Sequence, residues 1–169
     1  PEHAEIARTY KGFIQKGTTY TENGQTVKTG FDHLEEFGVN AVQLLPVFDA
    51  DNNEFEPTYN WGYNPVSYFS ISNYLTKDLF NPIGGINELK ELIDVIHYLN
   101  IGVTLDVVFN HVYDSDIFPL SILVPGYTYH TKKDGFMSNS SGCGNDVNST
   151  KLMVRRYIID VLTYYKTEL

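Results

Sequence analysis

Clustered cations, cysteines and long apolar runs are all scarce in this sequence. Its 12 Lys and Arg residues are scattered among 21 Asp and Glu, giving a formal net charge of -9. Such a chain repels a phosphate backbone, so nucleic acid is not the expected partner, whereas a neutral ligand suits an acidic surface. Cys143 is the single cysteine, which excludes an internal disulfide framework and a multi-cysteine metal site. No apolar run approaches the ~20 residues needed to cross a bilayer. The opening PEHAEIARTYKGF has neither the apolar stretch nor the cleavage site of a signal peptide. A soluble chain with no membrane partner is the expectation, and the compartment stays open because a leader upstream of Pro1 would not be seen. Internal repeats and low-complexity segments are absent, and SSGCGND lacks the Lys and the glycine spacing of a phosphate-cradling loop.

The apolar content, 42% of residues, is enough for one domain-sized core or for part of a larger one. The first thirty residues have no sustained periodicity and read as loop. Thr29 to Phe37 fits a short helix, with Gly38 placed for a left-handed cap. Val39 to Phe48, VNAVQLLPVF, is nearly continuous apolar sequence and reads as a strand buried on both faces, ending at Pro46. Ile86, Leu89, Leu92, Ile93, Ile96 and Leu99 mark an amphipathic helix, after which IGVTLDVVF reads as a second buried strand. A last helix is expected from Ser149 to Tyr165. Strand, helix and strand with a tight return make a βαβ unit, so the two strands are expected to be parallel with a right-handed crossover. Two strands cannot cover three apolar helix faces. The expected fold is therefore α/β, a partial (β/α)8 barrel running from its first to its third helix, about a third of the roughly 250 residues such a barrel takes. A piece of this kind exposes strand edges and helix faces, so contacts with the remainder of the barrel, or self-association, are expected.

Both strands are followed by connections, about Asp49 to Gly85 and His111 to Asn148, far longer than the ~2–6 residues usual in α/β units. The first is unusually aromatic, with Tyr59, Trp61, Tyr63, Tyr68 and Phe69. Two readings stand side by side: flat rings for the apolar face of a ligand, or the loop's own small core. Asp106 lies in TLDVVF, where a buried carboxylate requires hydrogen-bonding partners. Asn110 and His111 follow at the expected strand end, and the three are read as a polar binding cluster. His97, in the middle of a helix, is an ordinary histidine, and Arg155 and Arg156 are solvated helix face. Cys143 reads as a packing or lining thiol, since no His stands near it in sequence to activate a nucleophile.

YNWGYNP (Tyr59 to Pro65), DVVFNHV (Asp106 to Val112) and GCGND (Gly142 to Asp146) occur in the order and spacing of type I pullulanases, which this chain resembles over nearly its whole length. DVVFNHV resembles the first conserved region of the α-amylase clan, and YNWGYNP the YNWGYDP signature of pullulanases. The resemblance implies hydrolysis of α-1,6 branch bonds in pullulan, limit dextrins, starch or glycogen, with retention, by a nucleophile and an acid/base carboxylate. It also implies that both carboxylates lie beyond Leu169, so that no catalytic residue is in this chain and the chain alone is inactive. Tyr63 would stack on the sugar next to the cleaved bond, His111 would bond its hydroxymethyl group, and Asp106 would brace the site. Trp61 and Asn64 belong to the same substrate-binding set, and Cys143, Asn145 and Asp146 would face the substrate or shape its loop. Asn110 matches a position that helps bind calcium in many α-amylases; no cofactor is otherwise implied. The sequence departs from the signature at Asn64, where the family has Asp, and in SISNYLTKDLFNPIGG. Isoamylases and branching enzymes are the near alternative, and a non-catalytic glucan-binding piece the distant one.

Overall fold

The computed structural model describes residues 6–51 and 58–169; residues 1–5 of the opening segment and 52–57 of the first long connection lie outside the described residues. The described residues divide into two compact units, one containing the chain up to Leu44 with Asn73–Leu105, the other Leu45–Ser72 with Asp106–Leu169.

The opening segment of the first unit is not loop. A one-turn helix α1 (Tyr10–Phe13) starts at Thr9, whose hydroxyl accepts from the Gly12 N–H at 3.1 Å. A hairpin follows, β1 (Thr19–Glu22) and β2 (Gln25–Lys28), in antiparallel register. Its turn is Asn23-Gly24, both at positive φ (51° and 79°), the dipeptide whose left-handed conformations match the twist of a two-residue hairpin. All eight strand residues are exposed, so no burial alternation marks them in the sequence. Helix α2 (Gly30–Phe37) ends at Gly38, φ 73°, whose N–H reaches the Leu34 carbonyl, as its spacing predicts.

Strands β3 (Ala41–Leu44) and β6 (Gly102–Leu105) pair in parallel, Ala41 opposite Gly102 and Leu44 opposite Leu105. Both are shorter than expected, and both alternate between exposed and half-buried residues rather than being buried on two faces. Each has the other as its one strand neighbour among the described residues, which leaves a face and an edge of each uncovered. Between them in the chain runs α3 (Pro82–Tyr98), the helix expected from its apolar stripe. Asn81 caps it by accepting from the Gly84 N–H at 2.8 Å, and Pro82 occupies the first turn, where no N–H is needed. Leu89, Leu92, Ile93 and Ile96 are buried, while His97 is exposed.

In the second unit, β4 (Phe48–Ala50) and β5 (Pro65–Ile71) form an antiparallel pair with two register shifts. Pro46, which has no N–H for a ladder, separates β4 from β3, so the apolar run Val39 to Phe48 serves two different sheets. The short helix α4 (Pro119–Leu123) and the long α5 (Leu152–Glu168) complete the unit. Helix α5 begins three residues later than Ser149, after a turn in which the Asn148 side chain accepts from the Thr150 N–H. The core is aromatic. Tyr68 packs edge-on against Phe109 at 4.9 Å and Phe118 at 5.2 Å, and Phe48 lies 5.5 to 5.7 Å from Tyr68, Phe109 and Tyr165. No described helix is long and apolar enough to cross a membrane.

Burial decides which helix positions matter. Ile96→Ala is expected to destabilise the first unit by about 2–5 kcal/mol in urea unfolding, and Tyr98→Ala, on the exposed side, by less than about 0.5 kcal/mol.

Candidate functional site

Three segments meet in the second unit: residues 58–65, 106–113 and 138–148. In the first, the Gly62 N–H donates to Asn60 Oδ1 at 2.8 Å. Gly62 is at φ 83°, and a Cβ there would stand 2.7 Å from the Pro46 carbonyl oxygen, so only glycine fits both the backbone angle and the space. That turn carries Trp61 and Tyr63 on either side of it. Trp61 and Tyr59 are exposed and meet edge to face, 6.4 Å between centroids at 80°. Tyr63 is half-buried, and its hydroxyl donates to Asp106 Oδ2 at 2.6 Å. The bond to Asp106, with partial desolvation and the charge of the same carboxylate, raises the Tyr63 pKa above its ordinary value.

Asn64 donates from its amide to the Asp51 carbonyl at 3.2 Å, and the Asp51 N–H returns to the Asn64 carbonyl at 3.1 Å. An aspartate at this position has no donor for that first bond. The Asn64 Oδ1 is buried and makes no hydrogen bond.

Asp106 is not inside a doubly buried strand: β6 ends at Leu105, opposite the last residue of β3, and Asp106 is the half-buried residue after it. Beyond it the backbone has no ladder, and its polar groups are met one at a time. The Asn110 carbonyl accepts from Val147 N–H at 2.9 Å, and the His111 carbonyl accepts from the Tyr68 hydroxyl at 2.9 Å. Val112 N–H donates to Asn145 Oδ1 at 3.0 Å, Asn145 Nδ2 donates to the Val112 carbonyl at 2.8 Å, and Tyr113 N–H donates to the Pro65 carbonyl at 2.9 Å. His111 is buried, with Nδ1 2.6 Å from Asn110 Oδ1. Since that oxygen only accepts, Nδ1 carries a proton and Nε2 is the ring's remaining hydrogen-bonding atom.

Asp146 organises the third segment. Its carboxylate accepts from Ser140 N–H at 2.7 Å and Ser141 N–H at 2.9 Å. The Ser138 hydroxyl and then these two amides hold its pKa well below the usual carboxylate range. A cavity of about 600 Å³ opens here, lined by Asn110, His130, Ser138, Ser140, Asp146 and Val147. Cys143 is exposed between Gly142 and Gly144, both at positive φ.

Calcium takes 6–8 oxygens; of those of Asn110, the side-chain oxygen meets His111 Nδ1 at 2.6 Å and the carbonyl accepts from Val147 N–H at 2.9 Å. No three His, Cys, Asp or Glu side chains converge among the described residues.

Of the sequence-predicted residues, Tyr63 is thus brought to Asp106 and Asn110 to His111, while Asn145 meets Val112, which was not one of them. In the aromatic loop, Tyr68 and Phe69 pack with Phe109 and Tyr157 as a core, while Tyr59 and Trp61 are exposed. Ser138 is a participant that sequence reasoning did not single out, since one serine among several carries no local signal of the atom it binds; Tyr68, read among the loop aromatics, gives its hydroxyl to the His111 carbonyl.

The parallel βαβ unit makes this an α/β fold, partial and TIM-barrel-like, with no closed barrel among the described residues. Residues 21–164 match the alpha-amylase catalytic domain, and the chain belongs to that family. It is 38% identical over 168 residues to the pullulanase of Bacillus subtilis (strain 168), covering 93% of this chain and 23% of that protein. Isoamylase 3, chloroplastic, of Oryza sativa subsp. japonica is 34% identical over 151 residues, 80% of this chain and 19% of its own length. Among solved structures, the pullulanase of Anoxybacillus sp. LM18-11 complexed with maltotetraose superposes with a TM-score of 0.86 at 40% identity, covering 93% of this chain and 23% of that one. The Paenibacillus barengoltzii pullulanase, in complex with maltohexaose and alpha-cyclodextrin, gives 0.88 at 38% identity, over 95% and 25%. The chain spans about a quarter of the length of these pullulanases.

Two outcomes test the site's electrostatics. Asp106→Asn should lower the Tyr63 pKa toward its ordinary 10.0, read from the tyrosine Cζ signal by NMR. Asp146 has its pKa lowered on folding from 3.8, so its contribution to stability is present above that value and is lost as pH falls below it. Asp146→Asn should accordingly flatten the decline of Tm between about pH 5 and about pH 2.

Proposed function

We propose that this chain is the N-terminal part of a (β/α)8 catalytic domain, in an enzyme of pullulanase type that hydrolyses α-1,6 branch bonds of pullulan, limit dextrins, starch or glycogen with retention. The observation that carries this reading is the Tyr63–Asp106 bond at 2.6 Å, together with a buried His111 whose Nδ1 is engaged by Asn110. A tyrosine tethered by its hydroxyl keeps its ring in one orientation, as a platform for the apolar face of a sugar requires. The orientation of His111 leaves Nε2 for a sugar hydroxyl. Asp106 braces the platform from below, and Trp61 adds an exposed ring on the same turn. Asn64 ties its segment to Asp51, Asn110 holds the His111 ring, and the segment of Cys143, Asn145 and Asp146 shapes the loop tied to Val112. Support for an α-glucan as ligand comes from the pullulanases crystallised with maltotetraose and maltohexaose.

In this reading the nucleophile and the acid/base carboxylate lie outside the 169 residues, and this chain supplies recognition. The remainder of the barrel covers the uncovered faces of β3 and β6 and the exposed Leu152, Met153, Ile159 and Leu162 of α5. The similarity to isoamylase 3 keeps an isoamylase-type specificity as the second reading.

Product analysis decides between them. The complete enzyme is expected to release maltotriose from pullulan, and cleavage of amylopectin branches without maltotriose release would favour the second reading. The 169-residue chain by itself is expected to release no reducing sugar from pullulan; turnover by it would refute the placement of the carboxylates.

A further inference from the structure

We propose that Asn145 is a positioning residue for His111, acting through the backbone of Val112 and making no contact with the sugar. The inference rests on the glucan-binding reading of His111 given above. Asn145 is 3% exposed, and both polar atoms of its side chain are consumed by one residue: Oδ1 takes the Val112 N–H at 3.0 Å and Nδ2 gives to the Val112 carbonyl at 2.8 Å. These are the two bonds that a residue on a neighbouring strand makes to its hydrogen-bonded partner. The side chain replaces a strand at a point seven residues after the ladder ends at Leu105. Asparagine suits the place because its short side chain offers one acceptor and one donor. Aspartate has acceptors only, and serine has a single oxygen.

The Val112 N–H and the His111 carbonyl belong to the same peptide unit. Asn145 holds the unit at its nitrogen, and Tyr68 holds it at its oxygen with a 2.9 Å bond. The preceding peptide unit is held by Val147, whose N–H donates to the Asn110 carbonyl at 2.9 Å. The backbone is therefore fixed on both sides of His111, and the ring is fixed by Asn110. Asn145 and Val147 come from the same stretch, while Asp146 between them turns its carboxylate to the amides of Ser140 and Ser141. One short strap thereby ties the serine segment to the histidine. Misplacement of a binding group by about 1 Å can cost about 10²-fold in rate, so the strap acts on the reaction without touching the substrate.

A double-mutant cycle in the full-length enzyme that carries this chain tests the proposal, with kcat/KM on pullulan as the readout. Asn145→Asp keeps size and shape but sets an acceptor against the Val112 carbonyl. It is expected to lower kcat/KM about tenfold in the otherwise unmodified enzyme and less than about twofold in the His111→Ala background. Equal losses in the two backgrounds would show a role independent of His111 and overturn the proposal. Hydrogen exchange in the unmodified enzyme provides the arm that needs no variant to fold. Slow exchange of the Val112 amide supports the clasp, and exchange at the rate of an open loop amide overturns it. If His111→Ala leaves kcat/KM unchanged, the glucan-binding reading falls, and with it the proposal that Asn145 serves it, even where the Val112 amide is protected.

Discussion

Backbone that leaves a β-ladder while still buried must find a partner for each polar group, because an unpaired N–H or carbonyl in that setting costs about 1–3 kcal/mol. His111 and Val112, flanked by Asn110 and Tyr113, are in that position, with Val112 at 0% exposure. Their partners come from four different places: the strand residues Pro65 and Tyr68, the side chain of Asn145 and the amide of Val147. Most of the second unit's local geometry follows from this requirement. β5 lies where its Tyr68 hydroxyl and Pro65 carbonyl reach the segment, and the loop up to Val147 returns across it. Helix α5 locks β5 in turn, through the Tyr165 hydroxyl on the Tyr68 carbonyl at 2.9 Å.

Burial of the tyrosine hydroxyls has a second effect. Tyr68 and Tyr165 both have their pKa raised, chiefly by desolvation, so their hydroxyls remain donors at any physiological pH. A core rich in aromatics is thereby also a source of fixed hydrogen bonds, which aliphatic side chains do not offer. The aromatic loop of the first connection is split along the same line. Tyr68 and Phe69 are used for packing and backbone satisfaction, Tyr63 is tethered by its hydroxyl to a carboxylate, and Tyr59 and Trp61 keep their faces open. Composition gave the two readings of that loop equal weight; the packing reading holds for Tyr68 and Phe69, while Tyr59 and Trp61 stay exposed.

Legibility from the sequence varied with the range of the interaction. Gly38 marked its helix end correctly because capping is settled within a few residues, whereas the start signal in Asn81-Pro82 went unread beside the apolar stripe. The parallel pairing of β3 and β6 followed from one apolar helix between two apolar runs. The hairpin at Asn23-Gly24 was also written in the sequence, in a dipeptide signal that its fully exposed strands did not reinforce. Double burial of the strands was overestimated, since apolar composition states what a strand can bury and not how many neighbours cover it. The three segments of the site were recognisable as strings, but not the division of labour within them.

The sequence by itself determined the three longer helices, the parallel βαβ unit and the family, since each depends on patterns a few residues long or on strings kept in order. Only the tertiary structure decided that Tyr63 answers Asp106 across 43 residues, that Asn145 serves Val112 across 33, and that Tyr165 meets Tyr68 across 97. A hydrogen bond across such a separation is set by where the intervening chain places two atoms to within a few tenths of an ångström. Residue type and spacing carry no record of that placement.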